Sequence, residues 1–372
     1  MHGVGVAWLM TSLTASPLFV AMVPVAGISP VLVFGIFGGV FADVLDRRNW
    51  LLATQGWMMV CALAMGILTV AECVNPVVLL GLAFAMGVGN ALNLPAWQSL
   101  IQDIVPKEHI ASAVSLNSIS FNTGRIVGPV VGGMVVAVAG AATVFFVNAG
   151  SFLATLWVLI LWRETREPAG RGRLLDSLKQ GLAYLFKSPH LAAPLVRVAV
   201  FAFLSSGAVA LLPLYAREEM GLSAGGFGLL LGSYGSGSLA AGTMVPALRR
   251  KFSPSGIVAA AMGLSSAGLG VLAFTREPLV VSCALFVCGF SWVASLVNLN
   301  VAVQTSVPSE VRGRMLAIYF TAFQLAFALG ALFAGGFAKV AGIPACFLVS
   351  CVAGLVFAPF SARYKLPQGV PG

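Results

Sequence analysis

The sequence predicts an all-α membrane protein built from two parallel helical halves, and three observations support this fold class. Hydrophobic residues make up 59% of the 372 residues and charged residues only 9%, whereas a soluble domain carries roughly 25% charged residues. Long apolar segments recur along the whole chain, and the second half repeats features of the first. A chain of this composition cannot cover itself with a wetted surface, so we expect it to lie in a lipid bilayer.

Eleven segments are long enough to cross a bilayer, because a spanning helix needs about 20 mainly apolar residues. In chain order they are 17–41, 50–70, 76–101, 113–139, 142–162, 191–216, 224–248, 256–274, 279–303, 315–338 and 344–362. The opening stretch MHGVGVAWLMTSLT is apolar but too short to cross. It also lacks the positively charged start of a signal peptide.

The positions of Lys and Arg predict the orientation of these segments. Sixteen of the 21 basic residues fall in alternate loops on one side, and only Arg217, Arg276 and Lys339 fall on the other. Since cytoplasmic loops collect positive charge, we predict a multi-pass inner-membrane protein with a cytoplasmic C-terminus. The net charge of +9 is explained in this way, and nucleic acid is not an expected partner.

The predicted domains are a first helical half (1–162), a cytoplasmic linker (163–190) and a second half (191–372). The linker is basic and contains LLDSLKQGLAYLF. This pattern fits a helix lying on the inner membrane face, and a solvated linker is the alternative.

An internal repeat relates the two halves. A shift of 202 residues aligns the stretch from Val105 with the stretch from Val307 without a gap, and it also places Arg47 and Arg48 on Arg249 and Arg250. Parallel six-span halves are a transporter architecture. The same shift moves the segment 191–216 partly before Met1, so residues 1–14 are predicted to be the outer half of a first helix whose inner half is missing. The complete protein is then expected to have twelve spans.

The first motif is the loop GVFADVLDRR, from Gly39 to Arg48. Asp43 can lie at a helix N-terminus, whose partial positive charge favours a carboxylate. We predict that Asp43 lies beside the start of the segment 315–338, near Gly313 and Arg314. The alternative is an ordinary polar turn that carries cytoplasmic arginines.

The second motif is GRIVGPVVGG, from Gly124 to Gly133. Gly124, Gly128 and Gly132 recur at every fourth residue and form a smooth strip for close helix packing, and Pro129 lacks a backbone donor and kinks the helix. A similar strip is formed by Gly228, Gly232 and Ser236. We predict that the strips form a hinge and seam between the halves, with Gly128 or Gly132 close to Gly228 or Gly232. Plain tight packing is the alternative.

Both motifs resemble signatures of the major facilitator superfamily. Matches in the loop are Gly39, Ala42, Asp43, Arg47 and Arg48, while Val44 and Asp46 replace a usual Arg and Gly. The second motif matches the GxxxGPxxGG signature of that superfamily's antiporters in full. The stretches VAWLMTSLT, PAWQSLIQDIVP, AVSLNSISFN and VNAGSFLA are similar to the branch that contains enterobactin-type siderophore and macrolide exporters.

This resemblance implies the major facilitator fold, with two six-helix halves around a central cavity. It further implies export of a small amphipathic molecule, siderophore or drug-like, by alternating access with proton antiport. A non-transporting fragment of such a protein, or an importer or facilitator of the same fold, is the alternative function.

Polar side chains near mid-membrane are the candidate cargo contacts. They are Asn90, Asn93, Trp97, Asn117, Asn122 and Arg125 in the first half, and Trp292, Asn298, Tyr319 and Gln324 in the second. Each of them could instead be a packed residue or a bridge between two helices. A central arginine costs roughly 2.5–3.5 kcal/mol to insert, and no acid lies within a dozen positions of Arg125. Its expected counter-ion is an anionic or oxygen-bearing cargo, and a structural cluster with Ser118 and Asn122 is the alternative.

All twelve acidic residues fall in loops or at segment ends, so the spans hold no carboxylate to carry a proton. Coupling would then depend on the missing part of the first helix, on Asp43 or on the charge of the cargo. The spans contain no His, Asp and Glu cluster, which argues against a metal, a cofactor or an enzymatic role. The expected partners are the bilayer, a small-molecule cargo and protons, and we expect a monomer.

Overall fold

The computed structural model describes residues 1–106, 109–162, 191–363 and 366, and the regular elements in these ranges are helical. They comprise α1 (His2–Leu13), α2 (Pro17–Val44), α3 (Arg47–Val70), α4 (Pro76–Ile104), α5 (Ile110–Leu161), α6 (Ala192–Leu214), α7 (Ala224–Leu248), α8 (Pro254–Phe274), α9 (Pro278–Thr305), α10 (Ser309–Ala341) and α11 (Ile343–Arg363). A π-helical turn, Tyr215–Glu219, continues α6. The linker predicted at 163–190 lies outside the described residues.

Every predicted segment lies on a helix, and the prediction of an all-α membrane fold is confirmed. Within the described residues, nine stretches are long and apolar enough to cross a membrane. The nine do not include α7, in which Gly and Ser are frequent. The segments predicted at 113–139 and 142–162 are two helical parts of α5 that meet at a kink at Gly140, whose backbone angles are non-helical. Pro129 lies within the helical part of α5.

The chain divides into two compact units. The first comprises Met1–Ala15, Val23–Leu174 and Ser223–Gly228, and the second comprises Ser16–Met22, Leu175–Leu222 and Leu229–Gly372. In the first unit, α3 packs against α4 and α5, and α1 packs against α5. In the second, α6 packs along α10, and α8 packs against both α9 and α11.

The helix bounds reproduce the internal repeat. The helix α4 begins at Pro76 and α9 begins at Pro278, so these two corresponding helices start 202 residues apart. Both helices are mainly apolar, as expected for buried or lipid-facing spans. The repeat in the sequence is therefore also a repeat of secondary structure.

Candidate functional site

Several predicted site residues lie outside the part of the chain whose side chains are described. They are Gly39, Ala42, Asp43, Asn122 and Arg125. The predicted position of Asp43 beside Gly313 and Arg314 stays a prediction, as does the role of Arg125.

The loop between α2 and α3 is fixed by Asp46 and Arg48. The Asp46 carboxylate accepts a hydrogen bond from the Asn49 backbone N–H at 2.7 Å and caps the start of α3. Arg48 donates from Nε to the Leu159 carbonyl at 2.9 Å and from Nη2 to the Ile160 carbonyl at 2.6 Å. A cation is favourable at the negative end of a helix dipole. Arg48 thus ties the start of α3 to the end of α5, and Asp46, a departure from the superfamily pattern, has a capping role of its own.

Asn93 bridges α3 and α4. It is buried, and its Oδ1 accepts hydrogen bonds from Thr54 Oγ1 at 3.0 Å and from Gln55 Nε2 at 3.3 Å. One residue earlier on α4, the Leu92 carbonyl accepts a bond from Trp50 Nε1 at 3.1 Å. Hydrogen bonds of this kind hold membrane helices in register.

The other predicted residues of the first unit are more accessible. Asn90 and Asn117 are exposed, and Trp97 is half-buried. The Trp97 ring packs against a buried cluster of Leu51, Ala96, Leu100 and Leu159. Asn90 and Asn117 are therefore not enclosed by other described residues of the protein.

In the second unit, Trp292 is the centre of an aromatic cluster in the middle of α9. Its ring centroid lies 5.7 Å from that of Phe201 on α6, 5.5 Å from that of Phe323 and 5.8 Å from that of Phe327 on α10. These separations fall in the range in which aromatic pairs attract each other. The cluster joins three helices at mid-span.

Two further predicted residues of this unit are buried. Tyr319 donates from its hydroxyl to the Leu296 carbonyl at 3.2 Å and links α10 to α9. The Asn298 amide donates to the Ala294 carbonyl of its own helix at 2.8 Å. Gln324 is half-buried.

The glycine motif contains a close helix contact, made by Gly133. A Cβ placed on Gly133 would lie 2.7 Å from the Gly228 Cα and 2.7 Å from the Ala224 carbonyl oxygen. For Gly132 and Gly128, the nearest atoms belong to Met1, at 2.8 Å and 3.2 Å from the added Cβ. The structure thus brings α5 close to Gly228 at Gly133, whereas the predicted contacts of Gly128 and Gly132 stay a prediction.

Three residues to which the sequence analysis gave no role form a linked group at the end of α6. Arg276 donates from Nη2 and Nε to one Glu219 oxygen at 2.8 and 3.1 Å. The Arg276 guanidinium lies 5.2 Å from the centre of the Tyr215 ring, and the single O–H donor of Tyr215 is shared between the Leu272 and Thr275 carbonyl oxygens, at 2.9 and 2.6 Å. In the sequence, this group is indicated only by the opposite charges of Glu219 and Arg276. Both lie near the ends of predicted spans, on the side of the membrane with few basic residues.

The helices, the repeat and the two motifs define a membrane transporter of the major facilitator type. Residues 1–370 match the family described as transmembrane secretion effectors, and the chain belongs to this family. Among the described residues, no group of three or more His, Cys, Asp or Glu could hold a metal ion.

Similar proteins cover most of the chain. The MFS-type transporter YfiS of Bacillus subtilis is 28% identical over 91% of this chain and 82% of its own length. The multidrug efflux pump Tap of Mycolicibacterium fortuitum is 27% identical over 92% of this chain and 86% of its own. The enterobactin exporter EntS of Salmonella typhi is 26% identical over 80% and 72%.

A solved structure of the nucleoside transporter NupG superposes with a TM-score of 0.79. The two chains are 11% identical, and the match covers 98% of this chain and 94% of NupG. The likeness shows the fold, and the expectation of the major facilitator fold is confirmed.

Proposed function

We propose that this protein is a secondary active exporter, and not an enzyme, that moves a small amphipathic molecule out of the cell by alternating access. The match of residues 1–370 to the secretion effector family carries this proposal. Two of the similar proteins are named for export, one of drugs and one of enterobactin. The protein would lie in the inner membrane with its C-terminus in the cytoplasm, as the basic loops predict.

The cargo contacts are proposed from the residues that the sequence analysis selected. Asn90, Trp97, Asn117 and Gln324 are exposed or half-buried and can meet a cargo as they stand. Asn93, Trp292, Asn298 and Tyr319 are packed within their own units, and we propose that they position the helices that carry the contacts. Asn122 and Arg125 are also proposed as cargo contacts, on the basis of their positions in the sequence.

The cargo class is proposed to be siderophore-like or drug-like, with oxygen-bearing or anionic groups that Arg125 could bind. An arginine presents a planar fork of donors that suits carboxylate and other oxygen pairs. The aromatic cluster around Trp292 would favour cargo with flat apolar parts if that cluster opens during transport. Proton antiport is the proposed energy source.

Transport by the purified protein in lipid vesicles tests this function. Vesicles with an imposed pH gradient would be supplied with enterobactin or with a lipophilic cationic dye in the outer solution. Uptake of the cargo would be followed with and without a protonophore. We expect gradient-driven accumulation that the protonophore abolishes. Movement only down the cargo gradient would indicate a facilitator, and no movement of either probe would oppose the proposal.

A further inference from the structure

One face of α9 carries buried polar atoms that are unpaired within the described ranges of the chain. Ser291, Ser295 and Asn298 are all 0% exposed. The Ser291 Oγ, the Ser295 Oγ and the Asn298 Oδ1 have no hydrogen-bond partner in the part of the chain that the structure describes. Buried polar atoms are nearly always paired with protein groups or with ordered water.

The helical spacing directs these three side chains toward α8. At about 100° per residue, they fall between the directions of Cys288 and Ala294. The Cys288 thiol donates to the Ser265 carbonyl of α8 at 3.6 Å, and Ala294 shares a buried cluster with Ile257 and Ala261 of α8. Because both flanking directions contact α8, the polar face lies in the seam between the two helices.

The buried residues on the opposite wall of this seam offer no side-chain partner, and the half-buried Ser255 of α8 accepts at its Oγ from the Leu366 backbone N–H at 2.7 Å. The chain reverses between α8 and α9, so the part of α9 after Cys288 faces the part of α8 before Ser265. The buried α8 residues there are Ile257, Val258, Ala261 and Met262. Their side chains have no hydrogen-bonding groups.

The first unit closes the corresponding seam differently. A shift of 202 relates Ser295 to Asn93, and it relates Gly256 and Ile257 to Thr54 and Gln55. In the first unit Thr54 and Gln55 donate to Asn93. In the second unit the equivalent positions have no side-chain donor, so they cannot pair with Ser295 as Thr54 and Gln55 pair with Asn93.

We infer that ordered water molecules occupy the seam between α8 and α9 and pair with Ser291, Ser295 and Asn298. Water fits because it donates to Asn298 Oδ1 and both donates to and accepts from the serine hydroxyls. A cation is disfavoured, since the sequences of α8 and α9 contain no Asp or Glu to balance its charge and an unpaired buried charge is costly. The three positions span two helical turns, which indicates more than one water molecule.

This inference does not rest on the proposed transport function. Water in this seam would let α9 shift along α8 more easily, because water molecules can exchange hydrogen-bond partners. In the first unit, by contrast, the direct hydrogen bonds of Asn93 hold α3 and α4 together. Ordered water is a recognised hydrogen-bond partner for polar groups that are left unpaired in membrane helices.

The test introduces a thiol as a reporter of water. Ser295→Cys is nearly isosteric, and Ala294→Cys is its matched control, because Ala294 is buried in an apolar cluster one residue away. Each variant in lipid vesicles is transferred to D2O, and the S–H to S–D exchange is followed by infrared spectroscopy after subtraction of the unsubstituted protein. We expect the Ser295→Cys thiol to exchange at least tenfold faster than the Ala294→Cys thiol.

Equal protection of both thiols would overturn the inference, because the seam would then be dry and the serines would bond to their own helix. Equal and fast exchange would overturn it as well, since general opening of the helices would explain the result. If Ser295→Cys does not fold, the thiol exchange of Ser291→Cys, about one helical turn away, is compared with that of Ala294→Cys instead.

Discussion

Gly140 and Gly342 lie 202 residues apart and share one unusual backbone conformation. Their φ and ψ angles are 80° and 166° at Gly140 and 87° and 160° at Gly342. This region of backbone space is essentially restricted to glycine. Each glycine lies at the junction where one membrane segment meets the next, so the two halves have the same backbone conformation at corresponding junctions.

Replacing either glycine with alanine should destabilise the protein. We expect a loss of about 1–3 kcal/mol for Gly140→Ala and for Gly342→Ala, because a side chain is strained in this conformation. Thermal unfolding in detergent measures the effect. Gly150→Ala and Gly336→Ala are the controls, since these glycines are helical and a Cβ there meets nothing within 4 Å. Losses of equal size in the controls would show that the backbone angle is not the cause.

The contact between Gly133 and Gly228 leads to a second prediction. A Cβ on Gly133 would come within 2.7 Å of the Gly228 backbone, and overpacking of this kind costs about 1–3 kcal/mol. Gly133→Ala should therefore lower the unfolding temperature and reduce export at matched expression. Gly124→Ala, in the same motif but with open space around it, should have neither effect. Normal behaviour of Gly133→Ala would mean that the helices separate there without loss.

The positions of the helices could be predicted from the sequence, because length and apolar composition alone select membrane spans. The break predicted between the segments 113–139 and 142–162 coincides with the kink at Gly140 in α5. The repeat at 202 residues was the signal that pointed to corresponding junctions.

The candidate site was less predictable, because side-chain contacts depend on which helix faces meet. Asn93 and Asn298 look alike in sequence, each an asparagine in an apolar run. The structure pairs the Oδ1 of Asn93 with Thr54 and Gln55, whereas the Oδ1 of Asn298 has no hydrogen-bond partner among the described residues. Likewise, Gly132 and Gly133 differ by one position, and that difference of about 100° around the helix decides which of them meets Gly228.

The ion pair of Glu219 and Arg276 should contribute modestly to stability. Both side chains are about one-third exposed, at 31% and 33%, so solvent weakens the pair, and we expect Glu219→Gln to cost on the order of 1 kcal/mol. Thermal unfolding at low and high salt measures the loss, which should shrink in high salt because ions screen the pair. Glu218→Gln is the matched control, since Glu218 is 51% exposed and lies 4.0 Å from Arg217. A larger loss for Glu218→Gln would contradict the assignment.

Arg125 leads to the last prediction, which concerns cargo charge. The residue lies near the middle of the segment 113–139, where an arginine is costly to insert and usually faces a partner or a water-filled cavity. With no acid nearby in the sequence, an anionic or oxygen-bearing cargo is the partner that would neutralise it. Arg125→Lys keeps the charge but loses the planar fork, so it should retain part of the transport of an anionic cargo, whereas Arg125→Gln should lose it. Both variants are compared at matched expression, with a cationic dye as the second cargo. Equal transport of the anionic cargo by the two variants would make Arg125 a structural residue.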